Sequence, residues 1–310
     1  MASRSHYSVT SQDRQRGGHP VRLFVINLGC LVLLASFGFV WIFYHDLTRA
    51  LPEVEHLAEY VSPAATRVYA ADGSLLGEFH QEKRYPVSLE QIPLFVQQAF
   101  IVAEDASFYQ HFGIDMAAIS RALLANWRAG RTVQGGSTIT EQVVKSLLLT
   151  PEQSYRRKIQ EIILSLRLER HASKAEILAL YLNQIYLGSG TYGVETAARE
   201  YFGKSVTDLS LAEAALLAGL PPAPSWCSPR RHFERAKSRQ RYVLERMLDE
   251  HVVSYPQALD AWQEKFSFHP PRPAVSFARA PHLMMQVRQF LGDRYGREVS
   301  PQPGLNVHRA

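Results

Sequence analysis

The rhythm of polar and apolar positions changes three times along this chain. Residues 1–22 are mostly polar, and then "LFVINLGCLVLLASFGFVWIFY", Leu23 to Tyr44, carries no charge. From Thr66 to Phe79, "TRVYAADGSLLGEF" alternates about Asp72-Gly73, which predicts a short β-hairpin. After Pro86 the apolar residues recur at helical spacing and continue to do so. The pattern predicts one apolar helix followed by a mainly α body.

Local signals sharpen the helices. Ser88 with Gln91 reads as a capping box ahead of Ile92, Phe95, Val96, Ala99, Phe100 and Ala103. Ser173 with Glu176 opens "KAEILALYLNQIYL", and Ser210 with Glu213 opens "LAEAALLAGLPP", which stops at Gly219 and Pro221. A long helix is predicted over Glu234 to His251, and prolines return after Phe268. No repeat of fixed period is present.

The uncharged run is long enough to cross a bilayer, since about 20 residues span roughly 30 Å of hydrocarbon. Arg4, Arg14, Arg16 and Arg22 precede it with only Asp13 opposing, and Trp41, Phe43 and Tyr44 close it. That asymmetry predicts an uncleaved anchor with its N-terminus in the cytoplasm and the body outside. The expected organisation is a tail over 1–22, an anchor over 23–44, a linker with the hairpin over 45–85, a catalytic body over 86–250 and a C-terminal linker over 251–310.

Composition adds less. The formal net charge is +5 and the pI about 9.2, which suits an acidic partner without choosing among phosphates, nucleic acid and an anionic membrane surface. Cys30 lies in the apolar run and Cys227 in a proline-rich loop, so neither a mutual disulfide nor a structural metal is expected.

Four stretches could carry chemistry. In "EDASFYQHFGID", Glu104 stands four residues from both Phe100 and Phe108 on a helix face. A carboxylate desolvated there acquires the raised pKa of a general base; facing water, it is only an acidic helix end. Asp105 reads as a local cap or pair, Asp115 as the start of the next helix, and His111 as a capping or packing group. In "QGGSTITEQVVKS", two glycines lead into a helix capped by Ser137 or Thr138, with Glu141 completing a box from Thr138. Outward-pointing amides there would bind an anion that Lys145 could also reach, although an ordinary capped helix has the same pattern. In "RRKIQE", Arg157 and Lys158 stand four and three residues before Glu161: either surface ion pairs, or a carboxylate held by cations beside a phosphate ligand. In "YLNQIYLGSGTYG", Asn183 either orients a helix end or binds sugar.

Together these stretches are specific. "EDASFYQHFG", "GGSTITEQVVKS", "RRKIQE", "KAEILALYLNQIYLG" and "RAKSRQRYVLERM" occur in the order of the five motifs of the peptidoglycan glycosyltransferases. From Ala65 to about Met247 the chain resembles glycosyltransferase family 51, the N-terminal half of class A penicillin-binding proteins. The resemblance implies a lysozyme-like helical fold with head and jaw lobes, and polymerisation of lipid II on the outer face of the bacterial cytoplasmic membrane. It implies that the growing chain, held by its undecaprenyl pyrophosphate, is attacked with inversion by the 4-hydroxyl of the acceptor N-acetylglucosamine. Carried over, Glu104 is the base and Glu161 the second acid. Ser137, Gln142 and Lys145 fall to pyrophosphate binding with Arg157 nearby, and Thr138 and Asn183, the latter in a fourth motif that is mainly scaffolding, are also expected at the substrate. No cofactor is required, a divalent cation at the pyrophosphate stays open, and the partners expected are the membrane and cell-wall synthesis proteins, not nucleic acid.

The chain departs from the family pattern at Glu141, Ser146, Gln153 and Gln240. An added negative charge at Glu141 and a missing positive one at Gln153 are expected to weaken donor binding. "FARAPHLMMQVRQFLGDRYG" and "GLNVHRA" resemble the opening of a transpeptidase domain, so a bifunctional protein cut short is expected. A muramidase-type hydrolase and a non-catalytic membrane scaffold are the rival readings.

Overall fold

The structure, a computed structural model, describes residues 20–49, 51–55, 57, 66–69, 72, 75–79, 83–131, 135–150, 152, 154–270, 286, 289–290 and 306–308. The chain divides into two compact units, residues 1–51 and 52–310. The first contains helix α1, Pro20–Arg49, which extends the predicted span at both ends. Its segment Phe24–Arg49 is long and apolar enough to cross a membrane.

The second unit is mainly helical. The predicted hairpin forms: β1, Thr66–Tyr69, pairs antiparallel with β2, Leu75–Phe79. The strand from "GLNVHRA", Asn306–His308, adds parallel to β1, so a segment assigned to the C-terminal linker completes a three-stranded sheet with the N-terminal hairpin. A second small ladder joins β3, Lys83–Arg84, to β4, Thr191–Tyr192, which makes the C-terminal strand β5.

Two helical groups build the body. The first is centred on α8, Leu211–Ala218, whose sequence is apolar apart from the Glu213 of its capping box and is buried throughout except at Leu211. It packs between α2, Leu94–Glu104, and α9, Phe233–Asp249. The second is centred on α4, Ile139–Leu148, which packs against α5, Tyr155–His171, and α6, Lys174–Gln184. Helix α3, Met116–Ala129, and helix α7, Val194–Phe202, complete the set with α10, Tyr255–Gln263.

Two expectations change. The Ser88–Gln91 box forms, but it caps a three-residue 3-10 turn, Leu89–Gln91, and not α2. Pro93 forces Ile92 out of the helical region, to φ −89° and ψ 117°, so α2 starts only at Leu94. The body also runs past residue 250. Gln240 donates to Ala212 O and Ala261 O, fixing α10 against α8 and α9, and His269 N donates to Tyr201 O at 2.7 Å.

Candidate active site

Glu104 is the last residue of α2, and Gln142 lies one turn into α4. Gln142 Nε2 donates to Glu104 Oε2 at 2.8 Å, which joins the two helical groups at the carboxylate. Oε1 is enclosed and has no partner among the described residues. Burial pushes the Glu104 pKa above its ordinary 4.5; the Gln142 bond and the positive charge of Arg239 oppose the rise, and Asp105 adds to it. Glu104 is therefore a desolvated carboxylate and not a solvated helix end.

Asp105 does more than pair locally. Its Oδ2 accepts the Ile139 amide at 3.1 Å, the first residue of α4, and His111 Nε2 lies 3.0 Å from the same carboxylate. The sequence pointed to a local cap because the partner amide lies thirty-four residues away. His111 is thus a polar partner of Asp105, and its ring also meets Phe108 edge-on. Asp115 caps α3 as expected, accepting from Ala118 N at 2.8 Å.

The glycine loop is shaped by backbone contact. A Cβ on Gly136 would lie 3.1 Å from Ile119 Cα, so glycine lets the loop pass α3 without displacing it. Thr138, not Ser137, caps α4: its hydroxyl accepts from Glu141 N at 3.1 Å and donates to Gly113 O at 2.7 Å. Glu141 Oε2 in turn accepts from Thr138 N. The amides of Thr138, Ile139 and Glu141 are thus satisfied inside the protein and do not point outward to an anion. Thr138 itself is buried and committed to the cap. Ser137 and Lys145 are exposed.

Beside the cap lies a charged cluster. Lys158 Nζ sits 3.0 Å from Glu141 Oε2, 3.2 Å from Glu161 Oε2 and 3.1 Å from Ser137 Oγ. Arg157 Nε approaches Glu161 Oε1 at 3.4 Å, too poorly aligned for a hydrogen bond. The side chains of Glu141 and Glu161 are 1% and 4% exposed and that of Lys158 41%. These are not surface ion pairs. The extra negative charge at Glu141 is neutralised within the protein by Lys158, whose pairing with Glu161 the sequence suggested and whose contacts with Glu141 and Ser137 it did not.

The Asn183 amide is bonded within the protein. Oδ1 accepts from Val87 N at 3.0 Å, and Nδ2 donates to Val87 O and Ala179 O, each at 2.9 Å. Every polar atom of the amide is used to tie the chain before α2 to α6. Gln153 lies outside the described residues.

Of the predicted residues, the structure brings Glu104 to Gln142, and Glu161 to Arg157 and, through Lys158, to Ser137. Residues 72–248, which hold all of these groups, match the family model described as Transglycosylase. The chain belongs to the transglycosylase family. It is 43% identical over 277 residues to penicillin-binding protein 1A of Aquifex aeolicus, covering 89% of this chain and 38% of that protein. Against penicillin-binding protein 1A of Escherichia coli it is 41% identical over 288 residues, covering 93% and 34%. The chain therefore spans little more than a third of the transglycosylase relatives it matches. A crystal structure of penicillin-binding protein 1A from Haemophilus influenzae shares 28% identity, with a TM-score of 0.46, over 80% of this chain and 27% of that one.

Proposed function

We propose that this transglycosylase polymerises lipid II into glycan strands by inverting transfer. The observation that carries the reading is the Glu104 carboxylate: half held by Gln142, half unbonded, and raised in pKa by burial. A sugar hydroxyl is a weak nucleophile until its proton is taken, and a carboxylate of this kind takes it as attack proceeds. The acceptor 4-hydroxyl loses its proton to Glu104, its oxygen bonds to C1 of the N-acetylmuramic acid of the growing chain, and the C1–oxygen bond to the undecaprenyl pyrophosphate breaks on the opposite face.

The departing pyrophosphate gathers negative charge that fixed cations stabilise. Lys158, Arg157 and Lys145 are the cations for that role, with Ser137 as a hydroxyl donor; Glu161 orients Arg157 and Lys158. A resident divalent cation does not fit this cluster, because the Lys158 ammonium stands between the Glu141 and Glu161 carboxylates. Thr138 and Asn183 support the site without touching substrate.

The substrate's lipid calls for a membrane. Residues 24–49 supply an anchor, and the basic N-terminal flank supports a cytoplasmic N-terminus with the body on the outer face of the bacterial cytoplasmic membrane. Helix α3 exposes Met116, Leu123, Leu124 and Trp127 and carries Arg121 and Arg128, the composition of a helix that lies in an interface. A reporter fused after His111 that is active only in the cytoplasm overturns this topology.

The deciding experiment incubates the detergent-solubilised chain with lipid II and separates the products by size. Glycan strands formed as lipid II is consumed are the expected result. New reducing ends released from preformed glycan indicate a hydrolase, and a folded chain that leaves both substrates unchanged indicates a scaffold.

A further inference from the structure

Tyr181 has no part in the steps above, yet its position bears on Glu104. It is among the largest fully buried side chains, and its ring meets Phe100 edge-on, with centroids 6.4 Å apart at 72°. Phe100 and Glu104 are one turn apart on α2 and share a face. Tyr181 therefore lies on the side of α2 that carries the carboxylate. Its hydroxyl is buried without a partner among the described residues, and so is Glu104 Oε1. One of these groups is a donor and the other, when ionised, an acceptor only. Buried polar atoms are expected to be satisfied, by protein or by enclosed water.

We propose that Tyr181 is a positioning residue for Glu104: through one enclosed water its hydroxyl donates to Oε1 while Gln142 holds Oε2. The two oxygens are then fixed from α6 and α4, and the carboxylate keeps a free lone pair for the acceptor hydroxyl. Burial and the negative charges of Glu104 and Asp105 push the Tyr181 pKa well above 10.0, so the phenol keeps its proton and remains a donor at every pH the enzyme meets. The groups that act on Glu104 are Asp105 at the end of its own helix, Gln142 from α4 and Arg239 from α9, and the charge of Glu104 is in turn felt by Tyr181 from α6. Donation to the charged form favours it, so the phenol works with Gln142 and Arg239 against burial to keep Glu104 ionised. This inference rests on Glu104 being the base.

The test uses the full chain in detergent and the variant Tyr181→Phe, which keeps the ring and its packing. Two readouts are needed: the titration of the Glu104 carboxyl by carbon NMR, assigned with Glu104→Gln, and the pH profile of lipid II consumption. Gln142→Met serves as the reference that removes the other donor. The expected result is a Glu104 titration displaced to higher pH in both variants, an acidic limb of the rate profile displaced the same way, and kcat at neutral pH lower by about tenfold with KM little changed. A purely packing role would alter the thermal midpoint and leave both titrations where they were, and that outcome overturns the proposal. The NMR titration needs no turnover. A displaced titration in a chain inactive on lipid II would reject the polymerase reading and keep this one, and an active chain with an undisplaced titration would do the reverse.

Discussion

Gln142 donates to the Glu104 carboxylate across 2.8 Å, although the two stand thirty-eight residues apart. The bond favours the ionised form of a carboxylate that burial disfavours. Gln142→Ala should therefore lower lipid II turnover by about ten- to a hundredfold, the worth of a hydrogen bond to a charged group. The acidic limb of its pH–rate profile should move to higher pH. Steady-state rates across the acid range check this, and a limb that stays put would reject the bond as a catalytic support.

Glu104→Gln keeps shape and hydrogen bonding but cannot accept a proton. Polymerisation should fall by about 10²–10⁴. The stability change has a definite sign. Because Glu104 has a raised pKa in the folded protein, its contribution is fully present below the ordinary 4.5 and is lost as pH rises through the folded value. The variant should accordingly match or exceed the wild-type thermal midpoint at neutral pH, and the difference should vanish on acidification. A variant that is less stable at neutral pH, or one that retains a third of the rate, contradicts the assignment.

Lys158 separates two buried carboxylates, so its removal leaves Glu141 without its cation and Glu161 with Arg157 alone. Lys158→Met should cost about 1–3 kcal/mol, reduced from a fully buried pair because the lysine is partly solvated. Adding Glu141→Gln should recover much of the loss, since glutamine retains the capping box and carries no charge. Thermal midpoints of the two single variants and the double variant form the cycle that checks this; strict additivity would deny the coupling.

The same geometry predicts what Glu141→Gln does alone. Lys158 then answers only to Glu161 and Ser137, and binding of inorganic pyrophosphate should tighten by about 0.5–2 kcal/mol. Calorimetry reads this directly. Unchanged affinity would mean that the anion is held elsewhere, by Lys145 or Arg156.

Asn183→Ala should destabilise the body by about 1–3 kcal/mol, because the Val87 amide and carbonyl lose their partner. Pyrophosphate affinity should not change. A fall in affinity without loss of stability would restore Asn183 as a ligand-binding residue.

What the sequence made legible was local. Ser173 with Glu176 and Ser210 with Glu213 cap helices where expected, because both halves of a capping box lie within one turn. The 3-10 turn at Leu89–Gln91 was missed because a proline two residues later outweighed the cap. At the site, Glu104 and Glu161 could be singled out from their neighbours in the chain. Their roles as bonded groups could not, because Gln142, Asp105 with Ile139, and Lys158 with Glu141 meet across 17 to 38 residues. Asn183 looked like a ligand residue for the same reason: the Val87 backbone it holds lies 96 residues away.

The Asp105 carboxylate receives the first amide of α4 while its own residue ends α2. Helix termini ordinarily fray, each on its own, at little free-energy cost. Here neither end can open unless the other does, so the two should exchange their amide hydrogens as one cooperative unit. Glu104, the neighbour of Asp105 in the chain, inherits that constraint: the last turn of its helix, elsewhere the most mobile, is pinned from a helix to which it is not directly joined.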